Sequence, residues 1–439
     1  MEAWPDRNAR TGCDCRRHAA DAATSVAELR EDQCPCLEGQ EGQLMTMSRW
    51  VVTGVSGSER IEFLNEIAEG VRRRSKTVEV YDVGQLISEE CERLRIVTVD
   101  SRMLDMDPHL LRAIRRSALK EVRISIAENP QVDLRLIGIH ATFRWNGRLI
   151  AGVSWDDICE IGPDGFLNVV DNVDEVVERN RANPKWGRAE APGPLRTQEW
   201  MMEEEFATQV FADVAGKPMY VVARKHAPDS MSELLLGSDK KRVYLSYPIT
   251  AIKTESPDLL KRIQGPILSQ LEELFVVFNP LSIQDVDSLS RRPRRLAIPG
   301  GRTHRRKHGP ASQDVVVWAE ETASVGDFAD SDTCDPTVAD EADSDHDLPA
   351  ALIKARTIER DFRFVEQCDA VIAVYLTEKV SPGVLAEVMR AHRLQKPVFM
   401  VYPFRKSPFL EDVVTHFEDD LESMMVYLRQ IANDDYYWR

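Results

Sequence analysis

The sequence holds no apolar run near the ~18 residues that span a bilayer, and its opening stretch, MEAWPDRNARTGCDC, lacks the apolar core of a signal peptide. Neither a membrane protein nor an exported one is expected, and a cytoplasmic location is. Cysteine is scarce: eight in 439 residues do not make a disulfide framework. Cys13, Cys15, Cys34 and Cys36 form two C-x-C pairs, tighter than the about two to four intervening residues usual in zinc sites, so no metal is assigned. Cys91, Cys159 and Cys368 lie in apolar surroundings and read as buried thiols. Positive charge is in deficit, with 56 Lys and Arg against 73 Asp and Glu and a formal net charge of −17. That balance disfavours non-specific binding to nucleic acid or anionic lipid, and no specific nucleic-acid partner is expected.

The length of 439 residues allows two or three domains, and a hydrophobic fraction of 43% suffices for packed cores. Residues 1–47 read as a disordered extension, or as untranslated, with Met45 or Met47 as the start. Strands are predicted within 48–56, an apolar run entering a glycine turn, and at 78–83, 134–139, 166–170 and 219–223, with helices between them. The pattern restarts after a polar stretch at 225–241, with strands at 243–249, 274–280, 370–376 and 397–403. Strands alternating with helices indicate parallel sheets. The fold class is therefore α/β, as two three-layer parallel-sheet domains at 48–230 and 242–439.

The second domain is interrupted at about 282–350. Residues 291–308 are basic, and 314–347 carry twelve acidic side chains and no Lys or Arg. Such blocks bury too little apolar surface to fold, so a disordered insertion is expected. Replacing 286–348 by a short Gly/Ser linker should leave thermal unfolding cooperative and the Tm nearly unchanged. A drop of more than about 5 °C, a few kcal/mol for a domain this size, would mean that the segment packs on the domain.

Between the first strand and first helix stands Gly54-Val55-Ser56-Gly57-Ser58-Glu59-Arg60-Ile61. This is the context of a phosphate-binding loop, where backbone N–H groups and a helix N-terminus face an anion. The full motif, G-x-x-x-x-G-K-[ST], would need glycine, lysine and a hydroxyl where Glu59, Arg60 and Ile61 stand. The candidate nucleotide-binding residues are Gly54, Ser56, Gly57, Ser58 and Arg60, and ATP is the possible cofactor. A glycine turn that only joins strand to helix remains open. Residues 49–223 resemble archaeal-type adenylate kinases, through VVTGVSGS (51–58), GIHATFRWNGRLIAG (138–152), GPDGFLNVVDNVDEVVERN (162–180) and the helix around EEEFATQVFAD (203–213). The resemblance implies a P-loop kinase-like fold. It places Gly138 where that family carries an aspartate, and its lid arginines map to Arg179 and Arg181. A nucleotide-binding domain with weakened phosphoryl transfer is expected, because that reaction depends on positioned positive charge and Mg²⁺. His140 and Trp145 are read as packing residues.

The second domain carries a different constellation. Tyr244-Leu245-Ser246-Tyr247-Pro248-Ile249 is an apolar strand ending in polar groups, where open α/β sheets gather ligands. Asp361 lies on a helix whose apolar face is read as Ile358, Phe362 and Val365. Cys368-Asp369-Ala370-Val371-Ile372-Ala373 enters a buried strand, with Asp369 as an edge cap. Ser381-Pro382-Gly383-Val384-Leu385-Ala386-Glu387 opens the next helix. Together these stretches resemble the nucleoside 2-deoxyribosyltransferases and related nucleotide N-glycosidases. The resemblance implies a Rossmann-like fold, Glu387 as nucleophile, Tyr244 as the group orienting it and Asp361 as the base-contacting acid. Ser246, Ser381 and Gly383 are the candidate substrate-binding residues. It further implies a nucleoside or nucleotide substrate, no cofactor for glycosyl transfer, and a homo-oligomer. The residue types suit the chemistry: breaking an N-glycosidic bond builds positive charge at the anomeric carbon, which a carboxylate stabilises or attacks. An ATP-dependent nucleoside monophosphate kinase and a non-catalytic nucleotide sensor are the alternatives.

Overall fold

The computed structural model describes residues 47–96, 102–186, 191–280 and 350–438. Single edge residues apart, the expected N-terminal extension with its C-x-C pairs and the expected charged insertion lie outside the described residues.

Among the described residues, two five-stranded parallel sheets and one two-stranded hairpin are present, in agreement with the expected α/β class. In chain order the first unit comprises β1 (Ser48–Thr53), α1 (Arg60–Arg73), β2 (Val78–Asp82), α2 (Val83–Arg93), α3 (Pro108–Glu128) and β3 (Leu134–Gly138). A hairpin of β4 (Thr142–Trp145) and β5 (Arg148–Ala151) follows, then α4 (Trp155–Ile161), β6 (Gly165–Val170), α5 (Val173–Ala182), α6 (Pro194–Ala215) and β7 (Met219–Ala223). The strand order is β2-β3-β1-β6-β7. The central strands, buried on both faces, read as continuous apolar runs: β3 is buried throughout, β1 from Trp50 onward and β6 up to Val169, whereas the edge strand β2 is half-buried.

Residues 225–241, expected as a polar boundary, contain helix α7 (Pro228–Leu235). Met231, Leu234 and Leu235 are buried there and join a core that continues into the second unit through Val276, Phe278 and Phe364. The polar residues of α7 mislead because its apolar stripe is only three residues wide.

The second unit comprises β8 (Arg242–Ser246), α8 (Ile249–Glu255), α9 (Pro257–Arg262), α10 (Leu268–Leu274), β9 (Val276–Phe278), α11 (Ala350–Gln367), β10 (Ala370–Val374), α12 (Pro382–Arg393), β11 (Val398–Val401), α13 (Pro408–Val413), β12 (His416–Glu418) and α14 (Leu421–Ile431). Between α9 and α10 a π-helical turn contains Pro266, whose missing N–H breaks the i to i−4 ladder. The order β12-β11-β10-β8-β9 makes the gap between β8 and β10 the topological switch point, where ligands of open α/β sheets bind.

The units are pinned by side chains. The Gln367 amide donates to Val221 O (2.7 Å) and accepts from Val221 N (3.0 Å), satisfying an edge position of β7. His226 lies buried between the rings of Phe278 and Phe364, and burial pushes its pKa down to about 3, so it is neutral. Among the described residues no helix is long and apolar enough to cross a membrane.

Candidate functional site

Strand alternation decides what β8 presents at the switch point. Val243, Leu245 and Tyr247 point into one core, whereas Tyr244 and Ser246 point to the opposite face, toward α11 and α12. Pro382 at the first position fixes the start of α12. The turn before it is held by Tyr375, whose hydroxyl accepts from Ser381 N (2.7 Å) and donates to Lys379 O (2.8 Å). Val384, Val388 and Ala391 form the buried stripe of α12. Helical spacing places Glu387 on the same stripe, one turn after Val384.

An acid on that stripe must be satisfied from within the fold. Tyr244 Oη donates to Glu387 Oε1 at 3.0 Å, and Ser246 Oγ donates to Oε2. Both donors are fully buried. Glu387 as a residue is half-buried, yet desolvation of its carboxylate pushes the pKa up to about 8. The negative charge of Asp361 adds to the rise, and the two hydroxyl donors oppose it. Tyr244 is pushed well above its ordinary value, first by burial and then by the charge of Glu387. Asp361 sits half-buried on α11, with the Arg360 guanidinium 3.2 Å from its carboxylate.

The structure thus brings Glu387, Tyr244 and Ser246 into contact, with Asp361 near enough to perturb two of them. Ser246 faces the carboxylate, a role its expected place among substrate contacts did not include. Ser381 occupies the N-cap position of α12 without a side-chain capping bond, and a Cβ on Gly383 would meet nothing within 4 Å. Tyr247 is buried and donates to Asn279 Oδ1 (2.9 Å), tying the ends of β8 and β9 together. Asp369 pairs with Arg242 and accepts from its backbone N (2.8 Å), an edge cap as expected. Two expectations are corrected. Ile358 is 55% exposed, and among the described residues of α11 the fully buried ones are Phe364 and Val365. Cys159 is only half-buried, unlike Cys91 and Cys368, because it sits on the short surface helix α4.

The loop after β1 is the second candidate. Gly54 and Gly57 have positive φ values of 155° and 82°, which glycine adopts readily. Glu59 caps α1 with φ 53°, a left-handed conformation held by a residue other than glycine where the motif would carry one. Its carboxylate lies 3.0 Å from Arg179 and 3.4 Å from Arg224. Arg179 also contacts Asp171 (2.7 Å) and donates to Gly57 O (2.8 Å), so it is committed to the loop rather than to a lid. Arg181 is exposed. Arg60 is buried, and its Nη1 folds back to donate to Gly54 O at 2.6 Å. Ser56 O accepts from Asn180 Nδ2 (2.9 Å), and Ser58 is fully buried.

Glu204 on α6 organises this loop, and the sequence did not reveal it. One carboxylate oxygen accepts from Gly54 N (3.1 Å) and Ala141 N (2.8 Å), the other from Thr142 N (2.6 Å) and Thr142 Oγ1 (2.7 Å). The Gly54 N–H is therefore taken by protein. Beside the loop lies a cavity of about 720 Å³, whose walls include Ser58, Arg60, Arg102, His140, Trp145 and Trp186. His140, read as packing, faces this cavity, and burial holds its pKa well below the ordinary value.

No family model matches the chain, and no curated protein matches it. Among solved structures, the shikimate kinase of Bacteroides thetaiotaomicron is similar over 44% of this chain and 96% of its own, at 15% identity and a TM-score of 0.27.

Proposed function

We propose that the second domain cleaves or transfers the N-glycosidic bond of a nucleoside or nucleotide, with Glu387 as nucleophile. The observation that carries the reading is the carboxylate of Glu387 gripped by two buried hydroxyls at the switch point of the sheet. A carboxylate so held is fixed in line with an incoming anomeric carbon, the condition for forming a glycosyl-enzyme. Asp361 is the group that hydrogen-bonds or protonates the departing base. Ser381 and Gly383, at the start of the same helix, border the substrate. No organic cofactor enters this chemistry. In the same reading the first domain is a nucleotide-binding module rather than a working kinase, since its loop lacks the motif's lysine and metal-binding hydroxyl. Chromatography of a mixed nucleoside and nucleoside monophosphate pool after incubation should show free base. Phosphate transfer from ATP to a monophosphate instead would make the kinase reading correct.

The pH profile gives a sharper test. If Glu387 acts as carboxylate, kcat/KM of the free enzyme rises with pH through about 8. Asp361→Asn removes the neighbouring like charge, so the Glu387 pKa falls and the rising limb moves to lower pH. Tyr244→Phe and Ser246→Ala remove donors that favour the ionised form, so the limb moves to higher pH. Limbs that stay in place in all three variants would detach Glu387 from the rate.

A further inference from the structure

Kinase-like phosphate loops work with a magnesium ion bound by the motif's hydroxyl, and the fit of such an ion to this loop is decided by Ile61 and Gly138. A Cβ at Gly138 would lie 2.4 Å from Ile61 Cδ1 and 3.4 Å from Arg60 Nε. The isoleucine methyl fills the space an aspartate side chain at 138 would need. Ile61 itself offers no oxygen. Among the described residues no group of three or more His, Cys, Asp or Glu is placed to hold a metal. These residues do not fit a magnesium ion. The two departures from the kinase pattern are one change in space, because the side chain missing at 138 is replaced by the one gained at 61.

The guanidinium of Arg60 occupies the same place, between Gly54 O and Gly138. We propose that the first domain binds a phosphate monoester bearing a planar base without any divalent metal, with Arg60 as the fixed cation. The proposal rests on the reading of this loop as a nucleotide site. Three residues of the cavity wall, each more than nine-tenths buried, keep a polar atom with no partner: Ser58 Oγ, Arg60 Nε and Asn180 Oδ1. Buried polar groups are satisfied in folded proteins, so these three call for a polar occupant or water. The N-terminus of the 14-residue helix α1 opens on the same cavity and favours an anion there.

Trp145 and Trp186 border the cavity but are each 5% exposed and pack with Trp200, as a packing reading of Trp145 expects. The accessible ring on this wall is the half-buried Phe143, its centroid 4.4 Å from that of His140. A volume of about 720 Å³ accommodates a small nucleotide. The cavity wall carries Glu59, Glu62 and Asp82 against five basic residues, Arg60 and Arg179 among them, so its charge suits an anion.

The test titrates the full chain with AMP and with ATP, each in EDTA and in MgCl₂, following tryptophan fluorescence. AMP should bind with the same Kd within about twofold in both media. Arg60→Gln should weaken AMP by roughly ten- to a hundredfold, the loss of a hydrogen bond to a charged group, while Glu387→Gln leaves it unchanged. The double variant Ile61→Ser/Gly138→Asp opens the filled space and adds two oxygens, and should make binding strengthen with Mg²⁺. If Arg60→Gln fails to fold, the EDTA comparison and the double variant still decide. Binding that requires Mg²⁺, or a preference for Mg²⁺-ATP over AMP, overturns the proposal and leaves the nucleotide reading standing. Absence of AMP binding in both media removes both.

Discussion

Replacing Glu387 by glutamine should lower kcat for base release by about a thousandfold or more, with KM little changed. Losses of this size follow removal of a residue that makes the covalent bond. The amide keeps the shape, and only the charge and the nucleophilic oxygen are lost, so the deficit is confined to the transition state. Tyr244→Phe should cost less, roughly 1.5–3 kcal/mol, as for one hydrogen bond to a charged group. A 2-fluoro nucleoside analogue should leave a sugar adduct on the peptide containing Glu387, visible by mass spectrometry. An adduct on Asp361 would keep the site and move the nucleophile. Base release at a near wild-type rate in Glu387→Gln would put the chemistry elsewhere.

The same variant has a stability signature that does not depend on substrate. The folded pKa of Glu387 is raised to about 8 from an ordinary 4.5, so the folded state holds the proton more tightly. Its contribution to stability is complete below about 4.5 and is lost as pH rises through about 8. Glutamine cannot ionise. Glu387→Gln should therefore match wild type in acid and unfold several degrees higher above pH 8, showing at once that the inactive variant is folded.

Glu204→Leu should destabilise the first domain by about 3–5 kcal/mol, the range for leaving buried charge-assisted partners unmet. The residue is 1% exposed, and its carboxylate takes the backbone N–H of Gly54, Ala141 and Thr142. Leucine fills the volume and leaves all three donors without an acceptor. In thermal unfolding this corresponds to a loss of roughly ten degrees. Glu204→Gln, which keeps one acceptor oxygen and turns an NH₂ toward the remaining donors, should fall in between. A Tm within about two degrees of wild type for Glu204→Leu would mean that water or a rearranged loop satisfies those groups.

Sequence pattern located all five sheet strands of the first domain and four of the five in the second, missing the three-residue edge strand β12. The strands at β8 and β10 were legible because a buried parallel strand is a run of apolar residues with no gaps. Glu387 was singled out by the resemblance of Ser381–Glu387 to a family motif and by its place in the first or second turn of a helix; that it shares the stripe of Val384 and Val388 emerged from the structure. Glu204 was not legible, since it is the middle of a three-residue acidic run whose neighbours, Glu203 and Glu205, are less buried. Helix α7 hid in a polar stretch, and the apolar face of α11 was misjudged by counting Ile358, which faces outward.

By itself the sequence determined the alternation of strands and helices, the two sheets and the residue types at the two loops, all properties of period and local spacing. The tertiary structure alone decided which groups meet. Ser246 and Glu387 are 141 residues apart, and Gly54 and Glu204 are 150 apart. No local pattern records that Ile61 fills the space beside Gly138, or that two hydroxyls of one strand close on the acid of a distant helix. Such contacts depend on how the sheet order and the pitch of each helix bring distant side chains within a few ångströms, and hydrogen bonding and packing act only at that range.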